Sequence, residues 1–336
     1  MSSDGPHATA PGGVRRPLIG IDLGGTKVQG VLVDHGTVVG DAKVATPMGG
    51  VADVVAAVVE CVGRLGGAGS VDGVGIGAAG VIDAATGTLL QAPNLAGFDR
   101  PVPLAALLGD ALELPSSTPL VVDNDVNAAV VGEHRLGAAR GFDNVLGVWV
   151  GTGVGGGIVL DGRLRRGPAG GAGEIGHVGV VVDGGRQCRC GLFGHLESYA
   201  GRASMEAEAR RRHDAGTPTL LVEMAGRKRM KSSVFAKALE AGDEVALDLL
   251  DEAVQALGMA LAAAATLVDL EVVVVGGGVP GKLGSRFVGR VEQAVRTRLF
   301  VRPSPLRVVP ATLGDLAGAL GAALLAAPAG GVVAPQ

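Results

Sequence analysis

The sequence predicts an α/β fold made of two similar halves with a cleft between them, and two observations carry this. First, a strand ending in Asp22, a Gly24-Gly25-Thr26 turn, a second strand and the turn Asp34-His35-Gly36 recur in kind about 130 residues later. There a strand over 145–150 meets the turn Gly151-Thr152-Gly153, then another strand and the turn Asp161-Gly162. Second, short apolar runs bounded by turn residues alternate with stretches of helical periodicity, the pattern of α/β units. The 336 residues suit two domains of ordinary size, and a ligand is expected in the cleft between them.

Taken in order, apolar runs predict strands over 17–22, 28–33 and 37–45, separated by the Gly-Gly and Asp-His-Gly turns. Helical periodicity follows over 51–65. A strand is expected over 71–76, a helix over 103–112, a strand over 120–122 and a helix over 124–138. The pattern then restarts with strands over 145–150 and 156–160. The expected organisation is a disordered polar tail over 1–16, an N-terminal α/β domain over 17–138 and a C-terminal α/β domain over 139–313. A last helix over 314–327 packs back on the first domain, and a tail covers 328–336. Residues 316–335 carry no charge over the length of a membrane span. Pro328 and Gly330-Gly331 interrupt them, so a packed helix and loose tail are expected instead.

Hydrophobic residues make up 47% of the chain but aromatics only 2%, so the core must be built from Val, Leu and Ala. A net charge of -4 gives no electrostatic footprint for nucleic acid. The basic run Arg227-Lys228-Arg229-Met230-Lys231 is read as a solvated loop. Three cysteines make no disulfide framework, and residues 1–16 lack the apolar core of a signal peptide. A soluble, cytoplasmic protein is expected, with no membrane and no nucleic-acid partner.

With 58 glycines, chance alone gives roughly two matches to G-x-G-x-x-G, and four occur, from Gly75, Gly151, Gly171 and Gly276. A dinucleotide fingerprint needs a strand before and a helix directly after. The matches from Gly75 and Gly151 run into hairpins, and the one from Gly276 lacks a preceding βαβ unit, so a nicotinamide enzyme is disfavoured. No G-x-x-x-x-G-K-[ST] is present, which excludes a P-loop. Gly-rich turns can still hold phosphate through backbone N–H groups, although a Gly-Gly turn needs no ligand. Asp22 adds a carboxylate suited to hydrated Mg²⁺, and Thr26 a hydroxyl. The segment Val122-Asp123-Asn124-Asp125-Val126-Asn127 ends a strand and opens a helix. Capping explains one such polar residue well but four together less so. A carboxylate there can take a proton from an alcohol.

Cys188 and Cys190, with His177 and His195, supply four thiolate and imidazole donors within twenty positions, enough to close a tetrahedral zinc site. Four protein ligands leave no open position, so such a zinc is structural. It would fix the flanking carboxylates Glu174 and Glu197.

These motifs, in this order and spacing, resemble the ROK family (repressors, open reading frames and sugar kinases) of the actin-like ATPase superfamily, its glucokinases in particular. The likeness runs from about residue 18 to residue 327. It rests on Asp22-Leu-Gly-Gly-Thr-Lys27, Gly151-Thr-Gly-Val-Gly-Gly-Gly157, Val275-Gly-Gly-Gly278, Asn124-Asp125 with Asn127, Glu174-Ile-Gly-His177, and Cys188-x-Cys190-Gly-x-x-Gly-x-x-Glu197. The resemblance implies two duplicated actin-like (ribonuclease H-like) domains and a zinc loop over 177–195. It implies transfer of phosphate from ATP to a sugar hydroxyl, with glucose to glucose 6-phosphate as the default. Asp125 would be the general base. Gly80, Asn94, Asn124, Asp125, Glu174, His177 and Glu197 would bind the sugar, His177 also binding zinc through its other ring nitrogen. Asp22, Gly24, Gly25, Thr26, Lys27, Thr152, Gly153, Gly277 and Gly278 would bind ATP, with Asp22 reaching Mg²⁺ through water.

His195 departs from the family pattern, which usually has Cys at that position; a Cys₂His₂ zinc site is still expected. The family's repressors carry a helix-turn-helix domain ahead of this fold, and the roughly 20 residues before Asp22 are too few for one. Other sugars (fructose, mannose, an N-acetylhexosamine), a sugar-like cyclitol, polyphosphate as donor, and a non-catalytic sugar sensor remain the alternatives. The family leads one to expect a homodimer or homotetramer.

Overall fold

The computed structural model describes residues 16–92 and 95–328. The expected tails, apart from Arg16 and Pro328, and Asn94, expected to bind the sugar, lie outside the described residues.

The first half runs β1 (Leu18–Leu23), β2 (Lys27–Asp34), β3 (Thr37–Ala45), α1 (Val51–Arg64), β4 (Gly73–Ala78), β5 (Val81–Asp83), β6 (Thr88–Gln91), α2 (Leu104–Ala111), β7 (Leu120–Asn124) and α3 (Asp125–Leu136). The second runs β8 (Val145–Val150), β9 (Val154–Leu160), β10 (Arg163–Arg165), α4 (Glu197–Ala200), α5 (Arg202–Asp214), α6 (Leu220–Ala225), α7 (Ser232–Glu240), α8 (Glu244–Val268), β11 (Val272–Gly276), α9 (Pro280–Arg296), β12 (Arg307–Pro310) and α10 (Ala317–Leu325).

Two five-stranded sheets form, with orders β3-β2-β1-β4-β7 and β10-β9-β8-β11-β12. Each opens with two antiparallel pairings and continues with two parallel ones, β1–β4–β7 and β8–β11–β12. The duplication seen in the turns is therefore a duplication of topology. Composition follows position: central β11 is Val-Val-Val-Val-Gly, wholly buried, as a parallel strand covered on both faces must be. Edge strand β3 alternates and exposes Asp41 and Lys43, which discourages pairing with another chain.

The helices after each sheet are exchanged. α3 follows β7 yet packs on β8 and β9, through Val130 against Val145, Val159, Val272 and Val274. α10 follows the second sheet and packs on β1 and β4 of the first, and α3 and α10 pack on each other. The contact with the first sheet is backbone-close. A Cβ on Gly20 would stand 1.8 Å from the Ala319 carbonyl oxygen, and one on Gly75 1.8 Å from that of Ala322. None of the described helices is long and apolar enough to cross a membrane.

The register sets what the cleft receives. Asp22 pairs with Gly77, and Ala78 with Asn124, so Asp22, Gly80 and Asn124 gather at the carboxyl ends of the parallel strands. Trp149 pairs with Gly276 and brings the turns at 151–153 and 276–278 to the matching edge of the other sheet. Carboxyl ends of parallel strands are where open α/β sheets bind ligands.

Candidate active site

The turn after β1 is closed by the Gly24 N–H donating to the Lys27 carbonyl (3.1 Å), and Thr46 Oγ1 donates to the Gly24 carbonyl (2.6 Å). Lys27 spends its ammonium on Gln29 and lies 3.9 Å from Asp315. In the second half the Gly151 N–H closes on the Gly153 carbonyl (2.9 Å). Gly277 takes φ +98, and a Cβ there would come within 2.6 Å of the Val150 carbonyl oxygen, so this turn abuts the 151–153 turn. Asp22, Lys27, Asp125, Trp149 and Gly276 to Gly278 line one cleft of about 620 Å³.

Asp125 opens α3. Asn124 is the N-cap: its side-chain oxygen accepts from the Val126 and Asn127 N–H groups (2.8 and 3.1 Å), while its amide donates to the Gly80 carbonyl (3.0 Å). Asn124 is thus a cap and a tether for the Gly80 turn, and this fixes its neighbour Asp125 at the mouth of the helix. Asp125 Oδ1 accepts from the Val126 N–H (3.0 Å). Burial nevertheless pushes the Asp125 carboxyl above the usual carboxylate range, and the Glu174 charge adds to the effect. Burial likewise pushes Asp22 up to about 7, with Asp125 contributing and Lys27 opposing. Two carboxylates with raised affinity for a proton in one cleft are also a place where a divalent cation is favoured.

Gly80, Asn124 and Glu174 meet in an adjoining small polar pocket with Asp123, Asn127 and Arg166. Asp123 and Arg166 were not singled out from the sequence. The buried Asp123 carboxylate accepts from Arg166 (2.6 Å) and Asn127 (3.0 Å), and it ties β7 of the first half to the loop after β10 of the second. Asp123 belonged to the polar run at 122–127, but its partner stands 43 positions away, so only the fold pairs them.

Burial raises the Glu174 carboxyl, while His177 opposes and Glu197 adds. Glu197 is bonded to the end of the 151–153 turn, its Oε2 accepting from the Val154 N–H (2.9 Å). A Cβ on Gly153 would stand 2.1 Å from that same oxygen, so only glycine lets the carboxylate reach the turn.

His177, Cys188, Cys190 and His195 come together, with one donor atom from each lying within 4.8 Å of all the others. His177 Nδ1 lies 3.4 Å from His195 Nδ1 and 3.8 Å from Cys188 Sγ, and Cys190 Sγ lies 3.3 Å from His195 Nδ1. Donors on tetrahedral zinc, at about 2.0–2.3 Å from the metal, stand roughly 3.3–3.8 Å apart. The four residues can therefore hold a tetrahedral metal, and both histidines present Nδ1 to it, which leaves His177 Nε2 for other work.

The basic run at 227–231 is an exposed loop, as expected, apart from buried Met230, but one of its charges has a partner that the sequence did not reveal. The Arg229 guanidinium donates to Thr152 Oγ1 (2.7 Å), and Arg202 from α5 donates to the same oxygen (3.0 Å).

The ROK family model matches residues 18–329. The glucokinase of Streptomyces coelicolor is 35% identical over 318 residues, covering 92% of this chain and 96% of that protein. An N-acetylmannosamine kinase of Vibrio cholerae is 31% identical over 291 residues, covering 86% and 92%. The crystal structure of a ROK family glucokinase from Streptomyces griseus with glucose and AMPPNP superimposes with a TM-score of 0.77 at 36% identity, covering 92% of this chain and 98% of that one. With a family model matching nearly its whole length and relatives above 30% identity, the chain belongs to the ROK family.

Proposed function

We propose that this ROK-family sugar kinase transfers the γ-phosphoryl group of ATP to a hexose hydroxyl, with glucose as the default acceptor and Asp125 as the general base. The observation that carries this is the placement of Asp125, capped and immobilised at the head of α3, in the same glycine-lined cleft as Asp22. A carboxylate whose proton affinity is raised by burial is a better base for a hydroxyl than an exposed one. The S. griseus enzyme bound to glucose and AMPPNP supports the choice of substrates.

In this reading Asn124, Glu174, His177 and Glu197 orient the sugar, with Gly80 and Asn94 from the first half. His177 would present Nε2 to the sugar and Nδ1 to a structural Zn²⁺ shared with Cys188, Cys190 and His195. The turns at Gly24-Gly25-Thr26, Thr152-Gly153 and Gly277-Gly278 receive the nucleotide, and Lys27 stands beside the first of them. Mg²⁺, held through water by Asp22, would neutralise developing phosphate charge when bound. Asp125 takes the hydroxyl proton as the sugar oxygen bonds to the γ-phosphorus and the bond to the β,γ-bridging oxygen breaks, releasing ADP. The exclusion of water by the two halves prevents hydrolysis of the donor.

The N-acetylmannosamine kinase relative makes an N-acetylhexosamine the second acceptor to test. Exposed apolar Val182, Leu192 and Phe193 in the metal loop support a homodimer or homotetramer, which light scattering would read. The deciding experiment is coupled ADP release over a sugar panel, with polyphosphate as the alternative donor and Asp125→Ala as control. Turnover of at least one hexose is expected, with a loss of about 10²–10⁴ in the variant. Near wild-type turnover in Asp125→Ala would reject the assigned base.

A further inference from the structure

Two arginines from separate elements end on one hydroxyl of the 151–153 turn. Arg202, at the start of α5, is 8% exposed and donates to Thr152 Oγ1 and to the Met230 carbonyl. Arg229, on the loop between α6 and α7, donates to Thr152 Oγ1 as well. The backbone at the start of α5 is already engaged with this turn, since the Arg202 and Ala203 N–H groups donate to the Gly151 and Thr152 carbonyls (3.1 and 2.9 Å). Anything held there is held by the side chains.

The charge does not balance. Among the described residues Arg202 has one carboxylate within ion-pair distance, Glu206 at 4.0 Å, and Arg229 has none. Glu206 is itself taken by Arg210 (3.0 Å) and by the Met230 N–H (3.0 Å). Two guanidiniums, Arg202 and Arg210, therefore share one carboxylate, and Arg229 shares only the neutral Thr152 oxygen with Arg202. A buried guanidinium without a counter-charge is costly, and like charges side by side add to the cost. Burial and the Arg229 charge together lower the Arg202 proton affinity, as that imbalance requires. Thr152 keeps its own proton as a donor while accepting from both arginines.

The place adjoins the cleft that Gly276 to Gly278 line. Gly277 abuts Val150, one residue before the 151–153 turn, and a Cβ on Gly278 would meet Ser232 Oγ, just beyond Arg229, at 3.5 Å. We infer that Thr152, Arg202 and Arg229 form an anion clamp for the phosphate chain of the donor nucleotide, with Arg229 as the element that closes on it. The nature of that donor rests on the kinase reading above. The bidentate geometry of guanidinium suits phosphate oxygens, and an anion there supplies the counter-charge that the protein lacks.

Trp149, the single tryptophan, lines this cleft and offers a fluorescence signal for nucleotide binding by the full chain. In Arg229→Gln the Kd for ATP and ADP should rise tenfold or more, about 1.4 kcal/mol, while that for adenosine stays within twofold. Arg229→Lys should recover part of the loss. Arg229 is exposed, so its replacement spares the core. An unchanged ATP Kd in Arg229→Gln, or an equal loss for adenosine, would overturn the clamp. Sugar turnover by the wild type alongside an unchanged ATP Kd in the variant removes the clamp and leaves the kinase. ATP bound through Arg229 with no sugar turned over does the reverse.

Discussion

Asp22 carries its carboxyl at about 7 in the folded protein against an ordinary 3.8, because burial and the neighbouring Asp125 both penalise its charge. The sign of the consequence is fixed: a raised folded pKa gives a stabilisation that is complete below 3.8 and is lost as pH rises through about 7. Asp22→Asn removes it. The Tm difference between wild type and Asp22→Asn, without metal, should therefore shift against the wild type between about pH 4 and about pH 8. Saturating Mg²⁺ at the upper pH should recover part of the difference. A Tm difference that stays flat across this range would refute the burial of the charge. At His195 the donor distances match a tetrahedral centre built from two thiolates and two Nδ1 atoms. His195→Cys should keep about one zinc per chain and His195→Ala should lose it, by metal analysis of the purified proteins. Loss of a metal held there should also lower Tm, since its binding free energy adds to the stability of the folded loop. Full zinc in His195→Ala would remove His195 from the ligand set.

At the scale of elements, the contact of α10 with the first sheet depends on side chains that are not there. Gly75 on β4 meets the Ala322 carbonyl so closely that a methyl would have to displace the helix backbone. Gly75→Ala should cost about 2–3 kcal/mol by urea denaturation, the upper part of the range for overpacking. Gly63, inside α1 with nothing within 4 Å of its Cβ position, is the matched control. There the same change should stabilise by roughly 0.5–1 kcal/mol through helix propensity. An equal response at both sites would mean that α10 yields freely. The same contrast shows what was legible beforehand. Strands such as 145–150 and helices such as 51–65 announce themselves through local periodicity and turn residues, and their observed bounds differ by a residue or less. Which sheet a helix covers is not local. The apolar stripe of α3 would fit either sheet, and its placement on β8 and β9 is decided by the whole packing. Side-chain partners far apart in sequence were equally hidden. Arg229 finds Thr152 across 77 positions, and in sequence it is only one charge in a basic run.

At the scale of the molecule, the exchange of α3 and α10 makes these two helices the joint between the halves. Each is bonded in sequence to one sheet and packed on the other, and small residues bring their backbones together: a Cβ on Gly321 would lie 1.6 Å from the Ala128 carbonyl oxygen. The proposed sugar-binding groups stand on opposite sides of that joint. Gly80 and Asn124 belong to the first half, while Glu174, His177 and Glu197 belong to the second, and Asp125 heads one of the jointing helices. A sugar that bonds to both sides has more partners when the halves approach, so it favours the closed arrangement by that difference in affinity. The Asp123–Arg166 ion pair, 2.6 Å long, is a second tie between the halves, beside the polar pocket that Gly80, Asn124 and Glu174 line. Small-angle scattering should therefore show a smaller radius of gyration with the preferred sugar and a non-hydrolysable ATP analogue together than with neither. Arg166→Met should weaken that contraction and raise the sugar KM more than the ATP KM. The same variant should lose about 3 kcal/mol of stability, because Asp123 would be left buried without its cation. In Asp123→Asn/Arg166→Met the stability loss should be smaller, with the contraction still weakened. A radius of gyration unchanged by both ligands would mean that the cleft is already closed, and that water is excluded by its shape rather than by motion.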